Sequence, residues 1–194
     1  NYLKCAKDPS YFINEFCVIQ HPQRGKIKFK LFPYQYDVLD EYAQHDYNVI
    51  LKSRQLGIST LTAAYSLWMM LFNADKNILC IATAKDTAKN LVTKVRIMYE
   101  GLPQWLKTAI VENNKLSLIF KNGSQIKAIA SNESAGRSEA LSLLILDEAA
   151  FIEKIDVIWT AAQQTLATGG RCLAISTPNG VGNWFHKTWQ DAKD

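Results

Sequence analysis

The sequence predicts an α/β fold: a mostly parallel central sheet flanked by helices, with an antiparallel β-hairpin added at its edge. Three observations lead there. Short runs of Ile, Leu, Val and Ala alternate with longer segments of helical periodicity, the order that builds strand–helix–strand units. Most of these runs are apolar almost throughout rather than at alternate positions, as in strands covered on both faces. Two others flank Asn122-Gly123, a dipeptide suited to a two-residue hairpin turn.

The elements follow in chain order. Residues 1–32 are read as a segment flanking the core, 33–180 as the core, and 181–194 as the start of a lid or linker. Pro33 sits where proline favours a first helical turn, and opens a helix over 33–45 with Val38, Leu39 and Tyr42 on one side. A strand at 48–52 (NVILK) precedes a segment, 59–73, that is apolar almost all round and so predicts a helix packed deep against the sheet. After a strand at 78–83, Ala88, Leu91, Val92, Val95 and Tyr99 form one stripe of a helix over 86–99. Lys85, Lys89 and Arg96 lie off that stripe, on a face that is either simply solvated or lines a channel for a polyanion. Runs at 116–120 and 125–130 make the hairpin. Strands at 142–147 and 172–176 then alternate with helices over 154–167 and 182–192.

A chain of 194 residues suits one domain with a substantial core. With 48% hydrophobic and 21% charged residues it belongs to the soluble globular class, and no apolar run is long enough to span a bilayer. The net charge of +4 permits contact with a polyanion without arguing for one. Cys5, Cys17, Cys80 and Cys172 show no paired spacing and read as reduced residues of an intracellular protein; the three scattered histidines make no case for zinc. The start at Asn1 and the helix-like end WQDAKD suggest a piece of a longer chain.

Five short stretches carry the chemistry. LKSRQLGIST, 51–60, runs from a strand into a helix, where a phosphate loop (Walker A) would lie. The usual form is G-x-x-x-x-G-K-[ST]. Gly57 and Ser59 fit its end, but Ile58 replaces the lysine and Lys52 stands at the first glycine position. Because such a loop curls around its anion, Lys52 can supply the displaced cation, with Arg54 as a second candidate; Ser53, Gln55, Leu56 and Thr60 complete the cradle. Ser59 falls where a hydroxyl holds Mg²⁺. In LLILDEAAF, 143–151, Asp147 and Glu148 end a central strand, where two carboxylates need a cation to face them. Asp147 suits Mg²⁺, and Glu148 suits the base that deprotonates an attacking water; the plain alternative is a helix start whose acids complement the dipole. In AISTPNG, 174–180, Ser176, Thr177 and Pro178 either sense a terminal phosphate or simply make a capped turn. Gln35 either reads the edge of adenine, with Phe32 or Tyr34 stacking on the ring, or is an ordinary first-turn residue. Arg137, in a Gly/Ser-rich stretch, is either an arginine finger acting in cis or from a neighbour, or an exposed loop residue.

Taken in this order, FPYQ, KSRQLGIST, LLILDEAAF and ISTPNG resemble the N-terminal ATPase domain of the large terminase subunit of tailed bacteriophages, from about Gln35 to about Trp189. The loop is similar to that of family members whose lysine has moved to the front. The resemblance implies a RecA-like ASCE P-loop ATPase that uses ATP and Mg²⁺ to drive double-stranded DNA into a procapsid, in the host cytoplasm and with no membrane partner. It implies partners as well: the portal protein, the small terminase subunit, and further copies in a ring, a pentamer by family likeness. By the same likeness Gln35 touches adenine, Asp147 binds Mg²⁺, Glu148 is the base, Ser176 and Thr177 couple hydrolysis to movement, and Arg137 is a finger acting on a neighbour. A ribonuclease H-like nuclease would lie outside these residues. Two readings compete with it. A helicase-type translocase shares the DEAA and ST motifs, and a scaffold without hydrolysis would explain Ile58 but not Asp147 with Glu148.

Overall fold

The computed structural model describes residues 1–131 and 140–192; Arg137 lies outside the described residues. The chain opens with two short helices, α1 (Tyr2–Lys7) and α2 (Pro9–Phe16), and a small antiparallel pair, β1 (Val18–His21) and β2 (Gly25–Lys28). There follow α3 (Pro33–Gln44), β3 (Tyr47–Leu51), α4 (Ile58–Phe72), β4 (Asn77–Ala82) and α5 (Lys85–Gly101). The strands β5 (Ile110–Asn113), β6 (Ser117–Phe120), β7 (Gln125–Ala130) and β8 (Leu143–Asp147) come next, then α6 (Ile155–Leu166), β9 (Arg171–Ser176) and α7 (Trp184–Asp191).

Seven strands form the main sheet in the order β3-β9-β8-β4-β7-β6-β5. The first five are parallel, while β6 and β5 run antiparallel at one edge. The period-two alternation of side chains divides the core into two layers. Ile78, Cys80, Leu143, Ile145, Leu173 and Ile175 face α4 and α5, whereas Leu79, Ile81, Leu144, Leu146, Cys172 and Ala174 face α6. Both layers are buried, so the near-continuous apolar runs of β4, β8 and β9 are explained by burial on both sides.

Beyond the unread strands β1, β2 and β5, the structure departs from the sequence reading in three places. The hairpin turn has three residues, not two. Phe120 N–H donates to Ser124 O at 2.9 Å and Gly123 N–H to Phe120 O at 3.1 Å, with Gly123 at φ 83°, a type I turn closed by a left-handed glycine. The hairpin is also more than an edge addition, because β7 joins the parallel set beside β4 and the outermost strand is β5. Finally, residues 1–32 contribute Cys5, Phe12, Ile13, Cys17 and Phe29 to the same core as α4 and α5.

Helix α4 is buried along nearly its whole length, as its composition predicts. Its far end is held by the hairpin tip: Asn122 Nδ2 donates to Met70 O at 2.8 Å and Ser124 Oγ to Asn73 O at 2.8 Å, satisfying carbonyls the helix leaves open. Arg96 on α5 is likewise structural. Its Nε donates to Asn113 Oδ1 at 2.6 Å and its Nη2 to Asn114 O, so it ties the helix to the β5–β6 turn.

Candidate nucleotide-binding site

The carboxyl ends of β3, β9 and β8 lie side by side. Leu51 is in register with Ser176 and Ile175 with Asp147, and Lys52 N–H continues the ladder to Ser176 O at 3.0 Å. Every motif singled out above, Arg137 aside, arrives at this end of the sheet, where open α/β folds place their ligands.

Residues 52–57 link β3 to α4, with Gln55 (φ 65°) and Gly57 (φ 70°) both left-handed. Ser53, Arg54, Gln55 and Leu56 are exposed, whereas Ile58 is buried in the core, so only its backbone faces the loop. The first intrahelical bond of α4 runs from Leu61 N–H to Gly57 O at 2.9 Å. That leaves the N–H groups of Ile58, Ser59 and Thr60 pointing out of the positive end of a long buried helix, which is the local structure that holds an anion.

Lys52 turns inward. Its Nζ donates to Glu148 Oε1 at 2.8 Å, and its side chain is 9% exposed. Glu148 has φ 55°, a conformation rare outside glycine, which turns the chain sharply after β8. Its other oxygen, Oε2, accepts from Thr177 N–H at 3.2 Å, from Thr177 Oγ1 at 3.2 Å and from Ser176 Oγ at 3.5 Å. Ser176 Oγ in turn accepts from Ala150 N–H at 3.1 Å. The strand-end pair is thus clamped by β3 on one side and β9 on the other. Pro178 follows on the surface, and Asn179 Nδ2 donates to Ala150 O at 2.9 Å.

The two neighbouring carboxylates titrate in opposite directions. Burial pushes Asp147 up, and the Glu148 charge adds to that; Lys52, Lys94 and a hydrogen bond from Ser59 only partly offset it. Burial also pushes Glu148 up, but hydrogen bonds from Lys52 and Thr177 and the lysine charge outweigh it, and the group ends below its ordinary range. Ser59 Oγ donates to Asp147 Oδ1 at 3.4 Å. A hydroxyl and a carboxylate so placed are hard oxygen donors of the kind Mg²⁺ accepts alongside phosphate and water. Among the described residues no group of three or more His, Cys, Asp or Glu could hold a metal by itself.

An open pocket of about 390 Å³ adjoins this clamp, lined by Arg54, Thr83, Glu148, Phe151 and Thr177. Arg54 is thus an exposed residue of the pocket wall, while the Lys52 side chain lies largely buried against Glu148. Gln35, 1% exposed, uses its amide on the backbone: Oε1 accepts from Phe32 N–H at 3.1 Å and Nε2 donates to Leu56 O at 3.1 Å. Phe32 and Tyr34 stack on each other beside the loop, at 5.8 Å between centroids and 4° between planes. Sequence reasoning did not single out Thr83, which follows β4, or Phe151, the last residue of LLILDEAAF.

Residues 49–194 match the family described as terminase large subunit, T4likevirus-type, N-terminal. A protein of Haemophilus influenzae, Mu-like prophage FluMu protein gp28, is 37% identical over 76 residues, which are 39% of this chain and 15% of that protein. Among solved structures, the large terminase of bacteriophage HK97 superposes with TM-score 0.73 at 22% identity, over 96% of this chain and 40% of that one. The large terminase ATPase domain of Thermus phage P74-26 gives 0.69 at 23%, over 82% and 69%. The UvsW helicase of bacteriophage T4 gives 0.62 at 11%, over 94% of this chain and 64% of that one; at such identities the likenesses speak for the fold alone. The chain thus spans a small part of its curated relative and less than half of the HK97 protein. With most of its parallel sheet, the loop between β3 and α4 and the strand-end acidic pair inside the matched residues, this chain belongs to the family of N-terminal regions of terminase large subunits.

Proposed function

We propose that this chain is a motor ATPase domain that hydrolyses ATP to drive double-stranded DNA into a viral procapsid. The observation that carries the reading is the 2.8 Å contact between Lys52 Nζ and Glu148 Oε1, which puts the displaced cation of the phosphate loop against the candidate base. In this reading the backbone N–H groups at the start of α4 and the Lys52 ammonium hold the triphosphate. Arg54 meets it from the pocket wall. Ser59 and Asp147 would hold Mg²⁺, which neutralises phosphate charge when bound. Glu148 takes a proton from the attacking water, and the Thr177 and Ser176 hydroxyls keep its carboxylate aimed. Pro178 and the turn after it carry changes at that carboxylate into α7.

Phe32 or Tyr34 is assigned to stack on the adenine ring, with Gln35 at its edge. Arg137 is assigned as a finger that completes the site, in cis or from a neighbouring copy. DNA, the portal protein, the small terminase subunit and a ring of copies, a pentamer by family likeness, are the proposed partners. The host cytoplasm is the proposed compartment. The nuclease of the longer protein is assigned to a separate domain.

Glu148→Gln tests the reading. The variant should bind ATP as the wild type does and lose hydrolysis by roughly a hundredfold or more, the scale of a lost general base. Unchanged turnover would remove the assignment. The shared fold of the T4 UvsW helicase favours a strand-separating translocase as the second reading. A strand-displacement assay on the full-length protein decides between them, since a packaging motor moves along duplex DNA without separating its strands.

A further inference from the structure

Within the 52–57 loop, Leu56 O accepts from two side-chain donors: Tyr34 Oη at 2.8 Å and Gln35 Nε2 at 3.1 Å, both from the first turn of α3. A carbonyl has two lone pairs, so both are used. The peptide joining Leu56 to Gly57 is planar and trans, hence its C=O and N–H point in opposite directions. Fixing the carbonyl toward α3 therefore fixes the Gly57 N–H away from α3, and that N–H has no hydrogen-bond partner among the described residues.

Gly57 itself fits no other residue type easily. Its φ is 70°, and a Cβ there would lie 3.0 Å from Gln35 Nε2, against the amide that holds the carbonyl. An untethered peptide of this kind rotates at little cost next to a glycine, and each rotation would turn a carbonyl oxygen toward the phosphates in place of a donor.

Resting on the proposed function, we infer that Tyr34 is a positioning residue: its hydroxyl, with the Gln35 amide, locks the Leu56–Gly57 peptide so that the Gly57 N–H faces the polyphosphate. This is distinct from stacking. The ring of Tyr34 faces Phe32 and the adenine side, while its hydroxyl acts on the backbone of the loop. It also gives Gln35 a task that its burial permits, whatever it does toward the base.

Tyr34→Phe separates the two tasks, because it keeps the ring and removes the hydroxyl. Calorimetric affinities for ATP and for inorganic tripolyphosphate, each with Mg²⁺, are the measurement. Tyr34 is 37% exposed and outside the core, so the variant should fold, and its thermal midpoint checks this. Both ligands should weaken by the same factor, about five- to tenfold, the scale of one lost hydrogen bond. The Gly57 amide resonance should also lose its shift on tripolyphosphate binding. Unchanged tripolyphosphate affinity with weakened ATP would mean that Tyr34 acts on the base, and would overturn the inference. Unchanged affinity for both would overturn it too. A wild-type protein that binds neither ligand would remove the proposed function and this inference together.

Discussion

Asp147 and Glu148 are neighbours in sequence, yet their surroundings drive them apart. Asp147 is 8% exposed and its carboxyl is raised by burial, so folding favours its neutral form more than the unfolded chain does. The stability it contributes is fully present at low pH and is lost as pH rises through the folded value. Asp147→Asn should therefore raise the thermal midpoint at neutral pH, with the gain shrinking as pH falls below the ordinary carboxylate range. Glu148 is lowered, so its contribution is present above that range and lost as pH falls through its folded value. Melting curves across acid to neutral pH for both single variants check the two signs. Lys52 and Ile58 divide just as clearly. Lys52→Ala should weaken ATP binding about ten- to a hundredfold, the scale of a charge-assisted contact. Ile58→Ala, in the core, should cost about 2–4 kcal/mol of stability and leave affinity nearly unchanged. The residue types of this site were legible in the sequence because each breaks a local rule: a lysine after four strand residues, two acids after four apolar ones. The partners of Gln35 were not legible. A buried amide satisfied by Leu56 O and Phe32 N–H differs from a ligand-reading amide only in tertiary contacts.

At the scale of elements, α4 connects the two ends of the domain. Its first turn carries the proposed anion cradle, and its last turn rests on the hairpin tip through Asn122 and Ser124. Gly123 at that tip has φ 83°, and a Cβ there would lie 2.0 Å from Asp75 Oδ1. Gly123→Ala should cost about 1–2 kcal/mol from the left-handed backbone alone, with the contact adding to it. Gly57→Ala should cost a similar amount of stability and, unlike Gly123→Ala, also lower ATP affinity. Chemical denaturation and calorimetry on both variants separate these effects. Near-continuous apolar runs made β4, β8 and β9 legible, because burial on both faces leaves no other pattern, while β3, half-buried at the other edge, was marked by its run of Val49, Ile50 and Leu51. β5 (Ile110–Asn113) was not legible, since an edge strand that buries little shows little periodicity. The hairpin turn was located correctly but mis-sized, for Asn-Gly suits a two-residue turn as well as the observed left-handed closure.

For the whole molecule, the order of the sheet brings three distant segments, around residues 52, 148 and 177, to one edge, and the catalytic reading depends on that convergence. Arg137 is the group the reading still requires. If it acts from a neighbouring copy, ATPase activity per chain should rise with protein concentration in the full-length protein, and Arg137→Ala should flatten that rise without changing ATP affinity. Activity independent of concentration would place the finger in cis. The central claim concerns Lys52, which rests on Glu148 at 2.8 Å and must serve the phosphates. A crystal structure with Mg²⁺ and a non-hydrolysable ATP analogue tests it most directly. The account predicts the Lys52 ammonium within hydrogen-bond distance of β- or γ-phosphate oxygens, with Glu148 released toward the γ-phosphate. A triphosphate bound in the loop while Lys52 remains paired with Glu148 would contradict it.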